Sequence, residues 1–315
     1  MRLAVVMDAA GSINVKKDST YAMLLEAHRS AWELTYLEQG DLFLRDGRTY
    51  GHGRRIALNP GHDPWYGLGQ AEILPLDGFD AILMRKDPPF NMEYVYSTYL
   101  LELAESRGVF VANRPQSLRD ANEKMFTAWF PQCTPPSLVT RNAEDLHGFL
   151  SEQDDIVMKP LDQMGGASVF RIRRGDPNVN VAIEVLTQMG TRMIMAQRYI
   201  PEIRDGDKRI LMIDGQPVPY ALARVPREGD SRGNLAAGAR PEGRPLDDHD
   251  RWICKQVGPV LSAKGVLFAG LDVIGSYLTE INITSPTCIR ELDAIYGLNI
   301  SAQLLDAVAR HVQGG

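Results

Sequence analysis

The chain is poor in the residues that usually announce a metal centre or a covalent mechanism. Only three of its 315 residues are cysteines, Cys133, Cys254 and Cys288, odd in number, far apart and without a CxxC pair. That spacing excludes a disulfide framework and fits a reducing compartment. The six histidines form no HxH or HExxH pattern, so a histidine-based zinc site is excluded. No histidine lies near Cys288 in sequence, and its thiol reads as a small buried side chain rather than a nucleophile. Long apolar runs are missing too: MRLAVVM is cut short at Asp8, before a signal segment or a span of about 20 apolar residues can form. Nor is there an excess of basic charge, since 34 Lys+Arg stand against 40 Asp+Glu for a net charge of −6. Broad nucleic-acid binding is disfavoured by that balance. A soluble, cytoplasmic protein with no nucleic-acid partner and no membrane partner is expected.

What is present is an ordinary globular composition, 44% hydrophobic and 23% charged. At about 100–200 residues per domain the length holds two or three domains. The apolar run RLAVVM, a polar loop, and Asp18-Ser19 ahead of the helically spaced YAMLLEAHRSAWEL predict strand, loop and capped helix. LTYLEQ, FDAILMR, a helix from Met92 to Ser106 and VFVAN continue the alternation, which predicts a parallel sheet in an α/β domain. Residues 44–74 lack a clear period and read as irregular loop with at most an edge hairpin. NRPQSLRDANEKMFTAWF predicts a turn followed by a helix, NAEDLHGFL a further helix, and residues 299–312 a closing one. Between them hairpins dominate: IVMKP with SVFRI, DKRILMI with PVPYALAR across Asp214-Gly215, and FAGLDVI with YLTEINIT across Gly275-Ser276. Trp32, Trp129 and Trp252 sit in helical patterns and are expected in core or interface.

Three constellations carry chemistry. In DIVMKPLDQMGGASVFRI, strand alternation puts Lys159 opposite Ile156 and Met158, just before Gly165-Gly166, whose backbone amides can cradle an anion. It is not a Walker loop, because GxxxxGK[ST] is absent and a strand follows. In GLDVIGSYLTEINITSPT, a turn centred on Ser276 pairs Asp272 with Glu280 and leaves Asn282 on the same face. Opposed carboxylates repel unless a cation lies between them, and an all-oxygen set of this kind suits Mg²⁺. The stretch from Arg224 to Arg244 is rich in arginine and glycine with almost no large apolar residue, which is the composition of a lid or of a disordered surface loop.

Together with INVKKDSTYAMLLEA, ILMRKDPPF, NRPQSLRDANEK, DGDKRIL, RGNLAAGAR and LTEINITSPTCIRE, these segments resemble the prokaryotic glutathione synthetase family of the ATP-grasp superfamily over essentially the whole chain. Residues 51–70 carry no part of the resemblance. It implies an α/β chain (α+β in the ATP-grasp part): an N-terminal doubly wound pre-ATP-grasp domain at 1–122, a central ATP-grasp lid domain at 123–200, and a C-terminal domain at 201–315 with a mobile loop at 225–243. Lys124 and Lys159 would contact nucleotide phosphates, with Gln163, Met164, Gly165, Gly166 and Ala167 closing over them. Gln197, Arg198, Tyr199 and Ile200 would read adenine, and Asp207 would assist at the ribose or the metal. Asp272, Glu280 and Asn282 would hold Mg²⁺, with Mn²⁺ as an alternative. Arg209, Arg224 and Arg232 would neutralise the transferring phosphoryl and the acceptor carboxylate. Lys17, Asp18, Arg85, Asn282, Ser285, Pro286 and Thr287 would contact γ-glutamylcysteine and glycine.

The reaction so implied is ATP-dependent ligation of glycine to γ-glutamylcysteine through an acylphosphate, by a homo-oligomer, a tetramer in the family. The rival readings are another ATP-grasp carboxylate-amine ligase acting on dipeptides or amino acids, and a noncatalytic nucleotide-binding relative.

Overall fold

Residues Arg2–Val6 form β1, whose four buried positions after Arg2 mark a strand covered on both faces. The computed structural model describes residues 1–164, 166–227, 233, 235 and 238–314. Gly165 and, within the Arg/Gly stretch, Arg232 lie outside the described residues. After β1 comes α1 (Ser19–Arg29), begun by Asp18, whose carboxylate accepts from the Tyr21 amide at 2.6 Å. β2 (Glu33–Leu37) pairs parallel with β1, and β3 (Leu42–Arg45), β4 (Arg48–Leu58) and β5 (Tyr66–Pro75) follow. β6 (Ala81–Met84) returns to the other side of β1 in parallel, then α2 (Met92–Glu105) leads to β7 (Phe110–Ala112), parallel to β6. The sheet order is β3-β4-β2-β1-β6-β7, with β5 on β4.

The β4–β5 hairpin is the edge hairpin that the reading of 44–74 allowed for, and its long strands correct the rest of that stretch, read as irregular loop. The face of β4 turned to the core presents Gly51 and Gly53, where an added Cβ would come within 2.7 Å of Leu37 and 2.8 Å of Thr35. Over residues 50–54 the strand therefore alternates glycine with polar residues instead of apolar with polar, and its period of two is invisible there to a hydrophobicity pattern. A second correction concerns NRPQSLRDANEKMFTAWF. It forms the short α3 (Pro115–Asp120) and a separate 3₁₀ turn at Met125–Trp129, because Asn122 Oδ1 accepts from the Lys124 and Met125 amides and breaks the helix between them. Trp129, at 60% exposure, lies outside the core.

The middle of the chain builds a four-stranded antiparallel sheet from β8 (Ser137–Thr140), β9 (Asp155–Pro160), β10 (Phe170–Arg173) and β11 (Ile194–Arg198), in the order β10-β9-β11-β8. The helices α4 (Ala143–Gln153) and α5 (Val179–Thr187) supply the apolar residues that cover it. A third sheet follows, β14-β13-β12-β15-β16, from β12 (Asp207–Ile213), β13 (Gln216–Val225), β14 (Arg240–Pro245), β15 (Phe268–Ile274) and β16 (Tyr277–Asn282). α6 (Asp248–Ala263), α7 (Ile289–Tyr296) and α8 (Ile300–Gly314) complete the chain.

The apolar clusters do not follow the sheets one to one. Val6, Ile82 and Met84 of the first sheet share a buried cluster with Ile210, Leu271 and Ile281 of the third. Leu3, Val5 and Leu83 share another with Leu211, Leu222 and the α7–α8 pair. Asn113, just past β7, adds a polar staple between the same two sheets: its side chain donates to the carbonyls of Phe268 and Ile283 at 2.7 Å each and accepts from the Phe268 amide at 2.9 Å. The middle sheet has a cluster of its own, from Leu146 to Ala196.

Candidate functional site

The third sheet turns one polar face toward the middle sheet, and its register explains which side chains meet there. β12 pairs Asp207 with Arg224 and Arg209 with Asp272, while β15 pairs Asp272 with Glu280 and Gly270 with Asn282. Asp207 and Arg209, like Glu280 and Asn282, are two apart and share a face. The expected Asp272–Glu280 pairing holds, and the ladder then slips by one residue before the Gly275-Ser276 turn. That bulge leaves the Thr279 carbonyl free of the ladder, and Lys159 Nζ from β9 reaches it at 3.3 Å. Gly270 makes room for Arg209, whose Cδ would lie 2.7 Å from a Cβ placed there.

Charges on this face are paired closely. Arg209 donates to both oxygens of Asp272 at 2.5 and 3.0 Å, and Arg224 bridges Asp272 at 3.0 Å and Asp207 at 2.5 Å. The two guanidiniums hold the Asp272 carboxyl well below the usual carboxylate range despite complete burial. Glu280 lies between two lysines, 3.6 Å from Lys124 Nζ and 3.7 Å from Lys159 Nζ. Lys124 also donates to the Gln163 carbonyl at 2.6 Å, which ties it to the glycine-bearing loop. Burial lowers the pKa of Lys159. Asp207 is different: burial, with Asp272 and Glu280 nearby, raises it to about 7, and its buried Oδ1 finds no hydrogen-bond partner among the described residues.

These groups open onto one cavity of about 680 Å³. Of the residues singled out from sequence, Lys17, Asp18, Lys124, Lys159, Gln163, Met164, Gly166, Ala167, Gln197 to Ile200, Asp207, Arg209, Arg224, Asp272, Glu280, Asn282, Ser285 and Thr287 all line it. Arg85 and Pro286 do not: Arg85 is 6% exposed and its guanidinium donates to the Pro286 carbonyl at 2.9 Å and to Thr20 Oγ1 at 3.1 Å. Arg85 thus braces the wall behind the cavity.

Several lining residues escaped the sequence reading. Glu123 is buried, accepts from Thr284 Oγ1 at 2.9 Å, and is raised to about 7 by burial and by Glu280. The charged pair Glu123-Lys124 ahead of the 3₁₀ turn was the available signal. Arg171 pairs with Asp155 and lies 3.4 Å over the Tyr199 ring, closing the end formed by Val157, Val169, Ile203 and Ile274. Glu291 and Cys288 also line the cavity; Cys288 is buried, as expected of its thiol.

Among the described residues no group of three or more His, Cys, Asp and Glu side chains is placed to hold a metal ion. Two carboxylates and an amide oxygen remain, a set that fits a cation retaining water and phosphate ligands.

The sequence profile of the prokaryotic glutathione synthetase ATP-grasp domain matches residues 123–297, and that of the N-terminal domain matches residues 1–119. The chain belongs to the prokaryotic glutathione synthetase family. Relatives named glutathione synthetase include one from Pseudomonas putida, 57% identical over 99% of both chains, and one from Escherichia coli K12, 53% identical over 99% of both. Solved structures of lower identity share the fold. D-cycloserine synthetase superposes with a TM-score of 0.70 at 14% identity, covering 98% of this chain and 99% of that one. D-alanyl-alanine synthetase A of Vibrio cholerae gives 0.64 at 14% identity, with 100% and 99% covered. The mixed α/β architecture is therefore an N-terminal domain joined to an ATP-grasp fold, and family membership makes the chain an ATP-dependent ligase. No helix among the described residues is long and apolar enough to cross a membrane.

Proposed function

We propose that the chain joins the amine of glycine to the cysteinyl carboxylate of γ-glutamylcysteine, using ATP and releasing ADP and phosphate. The observation that carries this reading is the shared cavity, in which two buried lysines, two buried arginines and a row of oxygen donors face one another. A carboxylate is a poor electrophile, so its oxygen first takes the γ-phosphoryl group of ATP. The glycine amine then attacks the acyl carbon, and phosphate leaves with the former carboxylate oxygen.

Each step assigns work to named side chains. Lys124 and Lys159 neutralise nucleotide phosphates, while Gln163, Met164, Gly165, Gly166 and Ala167 close over them. Gln197, Arg198, Tyr199 and Ile200 hold adenine against the apolar end of the cavity. Asp272, Glu280 and Asn282 would hold Mg²⁺ or Mn²⁺, and Asp207, its pKa raised by burial beside Asp272 and Glu280, stands next to them. When bound, the cation neutralises phosphate charge. Arg209 and Arg224 stabilise charge at the transferring phosphoryl, with Arg232 as the lid contribution. Lys17, Asp18, Asn282, Ser285 and Thr287 contact the peptide and the amino acid, and Arg85 and Pro286 position that wall. Excluding water protects the acylphosphate, which is the purpose assigned to the stretch 225–243, although its ends, Val225 and residues 240–243, are paired strand of β13 and β14 rather than loop.

The domain division at 1–122, 123–200 and 201–315 is part of the same reading, supported by the three sheets. Homo-oligomerisation, as a tetramer, is supported by an exposed stripe along α2, where Met92, Tyr96, Tyr99 and Leu103 recur at helical spacing. A cytoplasmic setting is supported by three free, buried cysteines.

The test is a phosphate-release assay with ATP and Mg²⁺. Release should require both γ-glutamylcysteine and glycine, and Lys159→Ala should lower kcat/KM at least about a hundredfold. Equal release with D-alanine as the only amino acid would reject the assignment.

A further inference from the structure

The middle sheet is joined to the rest of the molecule by two stretches of chain that run side by side. Residues 130–136 lead into β8 and residues 199–206 lead out of β11. The Arg198 amide donates to the Pro136 carbonyl at 3.0 Å, and Gln197 Nε2 donates to Ser137 Oγ at 3.0 Å, so the two crossings are tied to each other. The outgoing stretch is a 3₁₀ turn at Pro201–Asp205 ended by Gly206, whose φ of +113° turns the chain into β12. Since β8 to β11 are contiguous in the chain, these are the covalent connections of the middle sheet, and two adjacent crossings make a hinge.

The angle about a hinge is set by the contacts that cross it. Toward the phosphate end, Lys159 reaches the Thr279 carbonyl and Glu280, and Lys124 reaches the Gln163 carbonyl. Those lysines are the groups that nucleotide phosphates would claim, so their contacts are exchanged when the site fills. Beside the hinge the contact is of another kind. Arg198, the last residue of β11, donates from its guanidinium to the Tyr277 hydroxyl at 2.7 Å, and its guanidinium carbon lies 5.3 Å from the centre of that ring. Tyr277 opens β16, and among the described residues the cavity is lined by Ile274 and Thr279 on either side of it but not by Tyr277 itself. Its hairpin tip is anchored: His249 Nε2, at the start of α6, lies 2.9 Å from the Ser276 carbonyl, and a Cβ at Gly275 would come 3.1 Å from Glu202 Cβ in the hinge turn.

We propose that Arg198 and Tyr277 are positioning residues that form a latch beside the hinge: the pair holds the middle sheet at the angle that brings Lys124 and Lys159 to the same phosphates, and its release lets nucleotide leave. The inference rests on the ATP-dependent reading above. A hydrogen bond from a guanidinium is charge-assisted, and nothing in the chemistry of the phosphates requires this one to be given up. Its place beside the hinge gives it leverage, because a small displacement there is multiplied at the far end of the cavity. Arg198 then serves the adenine segment with its backbone and the hinge with its side chain.

The experiment follows a fluorescent ADP analogue chased from the protein and Mg²⁺ by excess ATP in stopped flow. Tyr277→Phe, which keeps the ring and removes the hydroxyl, should raise the dissociation rate at least about fivefold. Arg198→Met should raise it at least as much, and the double variant should be no faster than Arg198→Met alone, since each single change already breaks the latch. A merely structural contact would instead lower the urea midpoint and leave dissociation alone. An unchanged dissociation rate in Tyr277→Phe overturns the proposal, and so do single effects that simply multiply in the double variant. Should one variant fail to fold, the rate in the other decides, and an unchanged value again overturns the latch. A parent that binds no ADP overturns the ligase reading and the latch with it, a result distinct from binding with unaltered release.

Discussion

Carboxylates buried in the same cavity respond in opposite directions, and the number of cations within reach decides which. Asp272 has two guanidiniums and stays ionised, whereas Glu123 has a threonine hydroxyl and a like-charged neighbour and is raised to about 7. Because the folded value of Glu123 lies above its ordinary 4.5, its stability contribution is whole below pH 4.5 and is lost as pH rises through about 7. At about 1.4 kcal/mol per unit the full loss is about 3 kcal/mol. Glu123→Gln removes the titration, so denaturant unfolding should show the variant gaining about 2–3 kcal/mol on the parent between pH 4.5 and 8. Parallel stability curves over that window would refute the assignment. The place of motif residues such as Lys159 and Asp272 on the cavity was legible in the sequence. Glu123 was not, because its role arises from burial against Thr284, which lies 161 positions away.

At the scale of elements, hairpins bounded by turn residues and helices begun by Asp or Asn could be read directly, as at Gly275-Ser276 and Asp18. The β4–β5 hairpin was legible only in part, as an edge hairpin without bounds, since glycines replace the apolar half of the pattern where the strand lies on Leu37. The one-residue slip beside Thr279 was equally hidden: the pairing arithmetic gave Asp272 opposite Glu280 but could not show a carbonyl released for Lys159. A further packing constraint lies within α6. A Cβ at Gly258 would come 2.2 Å from the carbonyl oxygen of Gly215 in the β12–β13 turn. In an exposed helix, glycine to alanine gains about 1 kcal/mol. Here the clash is with backbone, so the sign reverses, and Gly258→Ala should destabilise by about 2–4 kcal/mol in urea unfolding. A stabilised variant would show that the turn can retreat from the helix.

Taken whole, the described residues build three sheets and three apolar clusters, but the clusters do not follow the sheets one to one. The first and third sheets share two apolar clusters and the Asn113 staple, while the middle sheet closes on its own. Among the described residues few polar contacts cross to it: Arg198 to the Tyr277 hydroxyl at 2.7 Å, Lys159 to the Thr279 carbonyl at 3.3 Å and to Glu280 at 3.7 Å, Lys124 to the Gln163 carbonyl at 2.6 Å, and Asn122 to the Leu161 carbonyl at 3.0 Å. Local opening free energies follow such divisions. Native-state amide exchange should therefore be faster in β8–β11 than in β1, β6, β12 and β15, and a non-hydrolysable ATP analogue should slow it selectively in the middle sheet. Uniform protection across all three sheets would contradict the division.

The shared clusters also change how an inherited substitution is felt. A methyl lost from Val6 or Ile82 loosens the same cluster that seats Ile281, which lies between Glu280 and Asn282. Damage far from the cavity, in residues that touch no substrate, would reach cells both as a smaller amount of folded protein and as a slower enzyme per molecule.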